Sequence, residues 1–66
     1  MKTYYVNNNS QPNGDHEVHE SGCSFMPSDK KNLGQHPSCK EAVAEAKKTY
    51  SKSDGCWYCC PSCHKS

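Results

Sequence analysis

The sequence contains no arginine and few apolar residues. Eight lysines face seven acidic residues, the formal net charge is +1, and only 32% of the 66 residues are hydrophobic. Arginine gives the bidentate recognition of phosphate and guanine, so its absence argues against nucleic acid as the main ligand. A chain of this size buries only about 60% of its unfolded surface. Disulfides, a metal ion or a partner usually stabilise such small proteins.

Long apolar segments are missing as well. No stretch approaches the roughly 20 apolar residues that cross a bilayer, and Met1–Val6 runs into Asn7–Asn9 without the apolar core of a secretory signal. We therefore expect one domain spanning residues 1–66, in the cytoplasm and without a membrane partner. In that compartment cysteines are more often metal ligands than disulfides.

Two short segments have the composition of β-strands. Lys2–Val6 is rich in tyrosine, threonine and valine, and His16–His19 is a second, shorter strand. The polar loop between them carries strong turn residues at Pro12–Asp15. We expect the two strands to pair in an antiparallel manner, and Leu33 to lie in a loop that follows them.

One helix is well indicated. Ser38 followed three residues later by Glu41 forms a capping box, and apolar residues recur at helical spacing from Cys39 to Tyr50. The predicted fold is a small α+β domain in which a short antiparallel β-sheet packs on one α-helix, at about residues 39–50. The predicted core consists of Tyr5, Val18, Phe25, Leu33, Val43, Ala46, Tyr50 and Trp57.

Six cysteines are the most informative feature of the chain, and four of them fall in the last eleven residues. A C-x-x-C places two thiolates on one tight turn, close enough to share a tetrahedral ion. The pair Cys56-x2-Cys59 lies beyond the helix, and the pair His19-x3-Cys23 lies before it. These spacings predict that Zn²⁺ is bound by His19, Cys23, Cys56 and Cys59 and staples the fold.

The fourth ligand has alternatives. His16 competes with His19, but the two residues are three apart in a strand and point to opposite faces. Cys63 or His64 could also replace His19, and with Cys63 the site would be all sulfur. We favour His19 because it is the nearer histidine to Cys23.

The remaining thiols have more than one interpretation. Cys39 lies on the apolar stripe of the helix, where a buried free cysteine acts as a small hydrophobe. It could instead pair with Cys63 or Cys60. Cys60 directly follows Cys59, and adjacent cysteines rarely bind one ion together, so we expect Cys60 to be a free or exposed thiol.

The arrangement of these elements resembles a known family. A strand ending in His19 and Cys23, a helix containing Glu41-Ala42, and the segment Gly55-Cys56-x-x-Cys59 are similar to the metal-binding domain of the Ada methylphosphotriester repair proteins. The resemblance covers roughly residues 4–60. Small uncharacterised bacterial proteins share elements such as Tyr-Tyr-Val-Asn, and bring no known activity.

The resemblance implies a zinc-bound α+β module with ligands His19, Cys23, Cys56 and Cys59. It does not imply the repair chemistry. In Ada the first ligand is the cysteine that accepts the methyl group, whereas this chain has His19 at that position. The arginines with which such a domain contacts DNA are also missing, so we do not expect methyl transfer.

The leading functional hypothesis is a non-catalytic zinc module that binds a macromolecular partner. Trp57 and Tyr58 could serve as a stacking platform for bases, although nucleic acid is weakly supported without a basic stripe. One alternative is a thiol- or redox-responsive protein that uses Cys39, Cys60 and Cys63. Another is a secreted mini-protein with three disulfides. His16-Glu17-Val18-His19 lacks the helical H-E-x-x-H spacing of metallopeptidases, and we expect no enzyme.

Overall fold

The computed structural model describes residues 1–65 as a four-stranded β-sheet with one α-helix against it. Strands run at Lys2–Asn7 (β1), His16–Glu20 (β2), Lys30–His36 (β3) and Ser53–Gly55 (β4), the helix at Cys39–Ala46 (α1), and a 3₁₀ turn at Pro61–Cys63. The strand order is β3-β1-β2-β4. The α+β architecture agrees with the sequence prediction, but the sheet is larger than expected.

The centre of the sheet is antiparallel. β1 pairs with β2, with Tyr5 opposite His19 and Val6 opposite Val18. β1 also pairs antiparallel with β3, through a bulge between Tyr4 and Tyr5. The predicted loop around Leu33 is wrong, because residues 30–36 form a strand along the open edge of β1.

The fourth strand makes the sheet mixed. β4 lies parallel to β2, with His16 opposite Ser53 and Val18 opposite Gly55. The prediction of a purely antiparallel sheet was therefore wrong. Parallel neighbours need a long crossover, and here β3 and α1 supply it between Glu20 and Ser53.

The helix begins at Cys39, as expected, and ends at Ala46 rather than at Tyr50. Instead of capping backbone N–H groups, the Ser38 hydroxyl donates to the Glu41 carboxylate, and this bond lowers the pKa of Glu41. Tyr50 leaves the helix and stacks on His16 at 3.9 Å between ring centroids. The aromatic contact with β2 explains why the apolar spacing continues past the helix end.

The core lies between α1 and one face of the sheet. Its buried side chains are those of Tyr4, Val6, Val18, Leu33, Ala42, Ala46 and Cys60. Val43 and Tyr50 are partly buried against it. Tyr5 was predicted in the core, but the alternation of β1 buries its neighbour Tyr4 instead. Phe25 and Trp57 are also outside the core, with 53% and 56% of their surfaces exposed.

The C-terminal turn packs directly on β4 at Gly55. A Cβ added to Gly55 would lie 2.6 Å from Cys63 Cβ and 2.9 Å from the Cys60 carbonyl oxygen. A side chain cannot be fitted there, so glycine permits this close approach. Within residues 1–65, no helix has the length and apolar character needed to cross a membrane.

Candidate metal centre

His19 is placed by the pleat of β2. Val18 points into the core, so the alternation of a strand directs His19 to the opposite face, where only 1% of it is exposed. The chain then turns tightly, because Gly22 adopts φ +88° and the Cys23 amide donates to the Glu20 carbonyl at 3.1 Å. The turn returns Cys23 Sγ to 3.5 Å from His19 Nδ1.

The second ligand pair follows β4. The Cys56 amide donates to the Val18 carbonyl at 2.8 Å, which continues the parallel pairing beside β2. Because Gly55 faces the core, Cys56 alternates to the face that holds His19. A turn closed by the Cys60 amide on the Cys56 carbonyl at 2.9 Å then brings Cys59 to the same place.

The four ligand atoms of His19, Cys23, Cys56 and Cys59 all lie within 4.8 Å of one another. Cys23 Sγ is 4.0 Å from Cys56 Sγ, and Cys59 Sγ is 4.0 Å from His19 Nδ1. Tetrahedral zinc, with Zn–S of about 2.3 Å and Zn–N of about 2.0–2.1 Å, requires edges of about 3.8 Å between sulfurs and about 3.6 Å between sulfur and nitrogen. The cluster is therefore close to the size that a zinc tetrahedron needs, and too wide for disulfides among its members.

Backbone amides donate hydrogen bonds to two of the sulfurs. The Glu20 amide donates to Cys59 Sγ at 3.3 Å, and the Tyr58 amide donates to Cys56 Sγ at 3.4 Å. Such bonds favour the thiolate over the neutral thiol. They would offset part of the negative charge that three thiolates bring to one ion.

Glu17 approaches the other nitrogen of the histidine ring. Its Oε1 lies 3.5 Å from His19 Nε2, and its side chain is only 13% exposed. A carboxylate on the free nitrogen fixes the tautomer and orientation of a metal-bound imidazole. We did not predict this role, although the i, i+2 spacing of Glu17 and His19 in a strand places both on one face.

Burial acts on the protonation of the ligands. It lowers the pKa of His19, with the Glu17 charge acting in the opposite direction, so the neutral imidazole that metal binding needs is favoured. Burial also raises the pKa of the Cys59 thiol. A metal ion would reverse that effect by binding the thiolate directly.

The alternative ligands lie elsewhere. His16 Nδ1 is 2.9 Å from the Asn7 carbonyl oxygen, and His64 Nδ1 is 3.0 Å from the Gly55 carbonyl oxygen. Cys63 forms a disulfide with Cys39, which settles the pairing that the sequence left open. Of the interpretations of Cys39 that the sequence allows, the structure has the pairing with Cys63 and not the free core cysteine.

Cys60 is a free thiol, as expected, but it is not exposed. Only 2% of its surface is accessible, and its sulfur lies 3.8 Å from Cys59 Sγ. Burial raises the pKa of this thiol. With one disulfide and four free cysteines, the chain does not have the three bridges of the mini-protein alternative.

Three exposed aromatic rings cover the outside of the two ligand turns. Phe25 comes from the first turn, and Trp57 and Tyr58 lie between the cysteines of the second. The Phe25 ring is 5.4 Å from Trp57 and 5.2 Å from Tyr58 between centroids, and each ring is at least 53% exposed. We call these residues the aromatic trio. Its geometry depends on both ligand turns being held together.

No protein-family model matches the chain, and no match is found among curated proteins or solved structures. The geometry of the His/Cys cluster is therefore the best indication of function.

Proposed function

We propose that this chain is a non-catalytic zinc-binding module in which the metal completes the fold. The observation that supports it is the convergence of His19, Cys23, Cys56 and Cys59, whose ligand atoms lie within 4.8 Å of one another. The pairs come from regions more than 30 residues apart, since Cys23 and Cys56 differ by 33 positions. One ion would therefore link the beginning and the end of the chain.

The donor set favours zinc and a structural role. Three thiolates and one imidazole suit Zn²⁺, and four protein ligands leave no open position for a substrate. Catalytic zinc sites usually keep three protein ligands and a water molecule. We therefore propose that the module has no enzymatic activity of its own.

Metal analysis tests the proposal. Protein purified under conditions that preserve thiols, without added metal, should contain one zinc per chain. Replacement by Co²⁺ should give the visible absorption bands of a tetrahedral thiolate site. Removal of the metal with a chelator, with the thiols kept reduced, should abolish most of the circular dichroism signal, and zinc should restore it. Full retention of structure after complete metal removal would contradict the proposal.

The likeness to the Ada metal-binding domain remains a proposal of shared architecture. The ligand order, a pair before the helix and a pair after it, supports it. The repair activity is not part of the proposal, because His19 cannot carry a methyl group as a zinc thiolate would. Incubation with DNA that contains methylphosphotriesters should leave the mass of the protein unchanged, and methylation of any cysteine would overturn this point.

We propose the aromatic trio as the surface with which the module contacts a macromolecular partner. Exposed aromatic residues are enriched in binding surfaces, and here the metal ligands hold them together. Chelation should change Trp57 fluorescence and its quenching by acrylamide, while an unchanged signal would separate the trio from the metal. Titration with single-stranded oligonucleotides tests base stacking, and we expect no binding at physiological salt, because arginine is absent.

The cytoplasmic location is also a proposal. The proposed use of three cysteines as ligands supports it, whereas the Cys39–Cys63 disulfide weighs against it, because disulfides are rare in reducing compartments. Acid trapping and alkylation of the thiols in intact cells would show which state the chain has there. A fully oxidised Cys39–Cys63 pair would move the proposal to an oxidising compartment.

A further inference from the structure

A second group of residues surrounds the disulfide, at the start of α1 and in the C-terminal turn. The bond joins Cys39, the first residue of α1, to Cys63 in the C-terminal 3₁₀ turn, across 24 positions of sequence. Both cysteines line a cavity of about 500 Å³, with Val43 and Ala44 on its apolar wall. The metal proposal makes no use of either cysteine or of this cavity.

The charged side chains that line the cavity are all positive. The ionisable side chains that line it belong to Lys40, Lys47 and Lys65, and no acidic residue among positions 1–65 contributes to its wall. The two acidic residues of α1 are Glu41 and Glu45. The Glu41 carboxylate accepts a hydrogen bond from Ser38, and the Glu45 carboxylate forms an ion pair with Lys48. The cavity therefore attracts anions towards a disulfide.

The two sulfurs differ as leaving groups. Cys39 is the first residue of α1, where the helix dipole stabilises a thiolate that is released there. The Ser62 hydroxyl lies 3.5 Å from Cys39 Sγ and can donate to the thiolate once it is released. In thiol–disulfide exchange the sulfur whose thiolate is better stabilised leaves faster. An incoming thiolate should consequently attack Cys63 and release Cys39.

We propose that the Cys39–Cys63 disulfide is an exchange site for low-molecular-weight thiols that carry carboxylates. The thiolate of such a compound attacks Cys63 Sγ, a bond forms between the two sulfurs, and Cys39 leaves as a thiolate. A second molecule of the same thiol attacks the sulfur of the bound one. This step releases a small-molecule disulfide and leaves Cys63 as a thiolate. Two thiols are oxidised, and one protein disulfide is reduced.

Glutathione and cysteamine are suitable probes, because one is anionic and the other cationic at neutral pH. Zinc-loaded protein is mixed with each thiol at equal thiolate concentration, and the reaction is stopped with acid and followed by mass spectrometry. Glutathione should react several-fold faster than cysteamine at low salt, and the preference should shrink as salt is added. Equal rates, or a preference for cysteamine, would overturn the proposal.

Charge reversal gives a matched comparison. Lys40→Glu should slow the glutathione reaction by about threefold or more and leave the cysteamine reaction equal or faster. Lys31→Glu makes the same change in net charge at an exposed position on β3, outside the cavity. It should have little effect on either rate. Equal slowing by both substitutions would contradict a local role for the cavity.

The cysteine that carries the glutathione adduct shows which sulfur is attacked. Alkylation at early times followed by peptide mapping should find the glutathione adduct on Cys63 and the alkyl group on Cys39. An adduct on Cys39, or on any of the four free cysteines first, would overturn the assignment. Zinc content is measured on the same samples. If the disulfide exchanges while the protein keeps its zinc, the result supports the exchange site independently of the proposed metal centre. If protein that contains no zinc still exchanges, only the proposed metal centre is rejected.

Discussion

The two faces of β2 are stabilised by different chemistry. Val18 points to one face and packs with Val6 and Ala42 beneath the helix, where apolar burial is the driving force. His19, the next residue, points to the other face, against which no α-helix of residues 1–65 packs and where three thiols lie. The comparison shows how a chain with few apolar residues can cover both sides of a sheet. One face uses side-chain packing, and the other uses a ligand set that a metal would complete.

Loss of a ligand should have the largest effect on this comparison. Cys56→Ser removes one sulfur from the candidate metal centre, and structural zinc contributes about 10–16 kcal/mol in zinc-finger peptides at pH 7. We expect the variant to lose its metal and most of its folded signal, as measured by elemental analysis and circular dichroism. Cys60→Ser, at a free cysteine outside the cluster, is the control and should retain one metal per chain. A Cys56→Ser protein that binds zinc as tightly as the parent would contradict the ligand assignment.

Gly55→Ala should disturb both faces of the sheet. Gly55 contacts the C-terminal turn on the core side, and it directly precedes Cys56, which lies on the side of the metal cluster. The added Cβ would lie 2.6 Å from Cys63 Cβ, and the resulting displacement should lower the free energy of unfolding by about 1–3 kcal/mol. Urea unfolding of the oxidised, metal-loaded protein measures it. Ser62→Ala, an exposed change in the same turn, should be nearly neutral. Unchanged stability in Gly55→Ala would mean that the turn moves away without penalty.

Val18→Ala should weaken only the apolar packing between the sheet and α1. The loss of two buried methyl groups, with the small cavity they leave, should reduce the free energy of unfolding by about 2 kcal/mol. The metal content should remain one per chain. Val43→Ala, at a half-buried position of the same core, should lower stability by less. If Val18→Ala also removed the metal, the two faces would not be separable.

Glu17→Gln should have the smallest effect on metal binding and stability. It tests whether Glu17 orients the His19 ring. The variant keeps the shape of the side chain but removes the charge near Nε2, and we expect about a tenfold loss of metal affinity, equivalent to about 1.4 kcal/mol. Competition with a chromophoric chelator measures the affinity. Glu45→Gln on α1 makes the same chemical change away from the cluster and should leave affinity unaltered. Equal affinities of the two variants would argue against a positioning role for Glu17.

The sequence predicted the parts of the fold that carry strong local signals. β1 and β2 have strand composition, and the start of α1 at Cys39 is indicated by Ser38 and Glu41. β3 and β4 were missed for physical reasons. β3 buries only Leu33, and β4 is the three-residue segment Ser53–Gly55, whose composition is that of a turn. Both become strands because they pair with neighbours that are distant in sequence.

The candidate site was more predictable than the aromatic residues around it. Two short-spaced pairs of ligands are a local pattern, and the structure brings those four residues together. The exposure of Trp57 was not predictable, because hydrophobicity alone does not show whether a small domain has enough surface to cover a ring. The partner of Cys39 could not be derived either. It depends on the approach of the C-terminal turn to β4 at Gly55.

The position of β3 at the border of the sheet has a consequence for solubility. One side of this strand pairs with β1, and the other is an open edge of the sheet, where a further chain could add a strand. Lys30 and Lys31 are exposed on it, and the bulge opposite Tyr4 and Tyr5 interrupts its regular repeat. Charges and bulges at such a border hinder edge-to-edge growth into aggregates. The same polar composition that makes β3 difficult to predict from the sequence is therefore expected to oppose self-association along this strand.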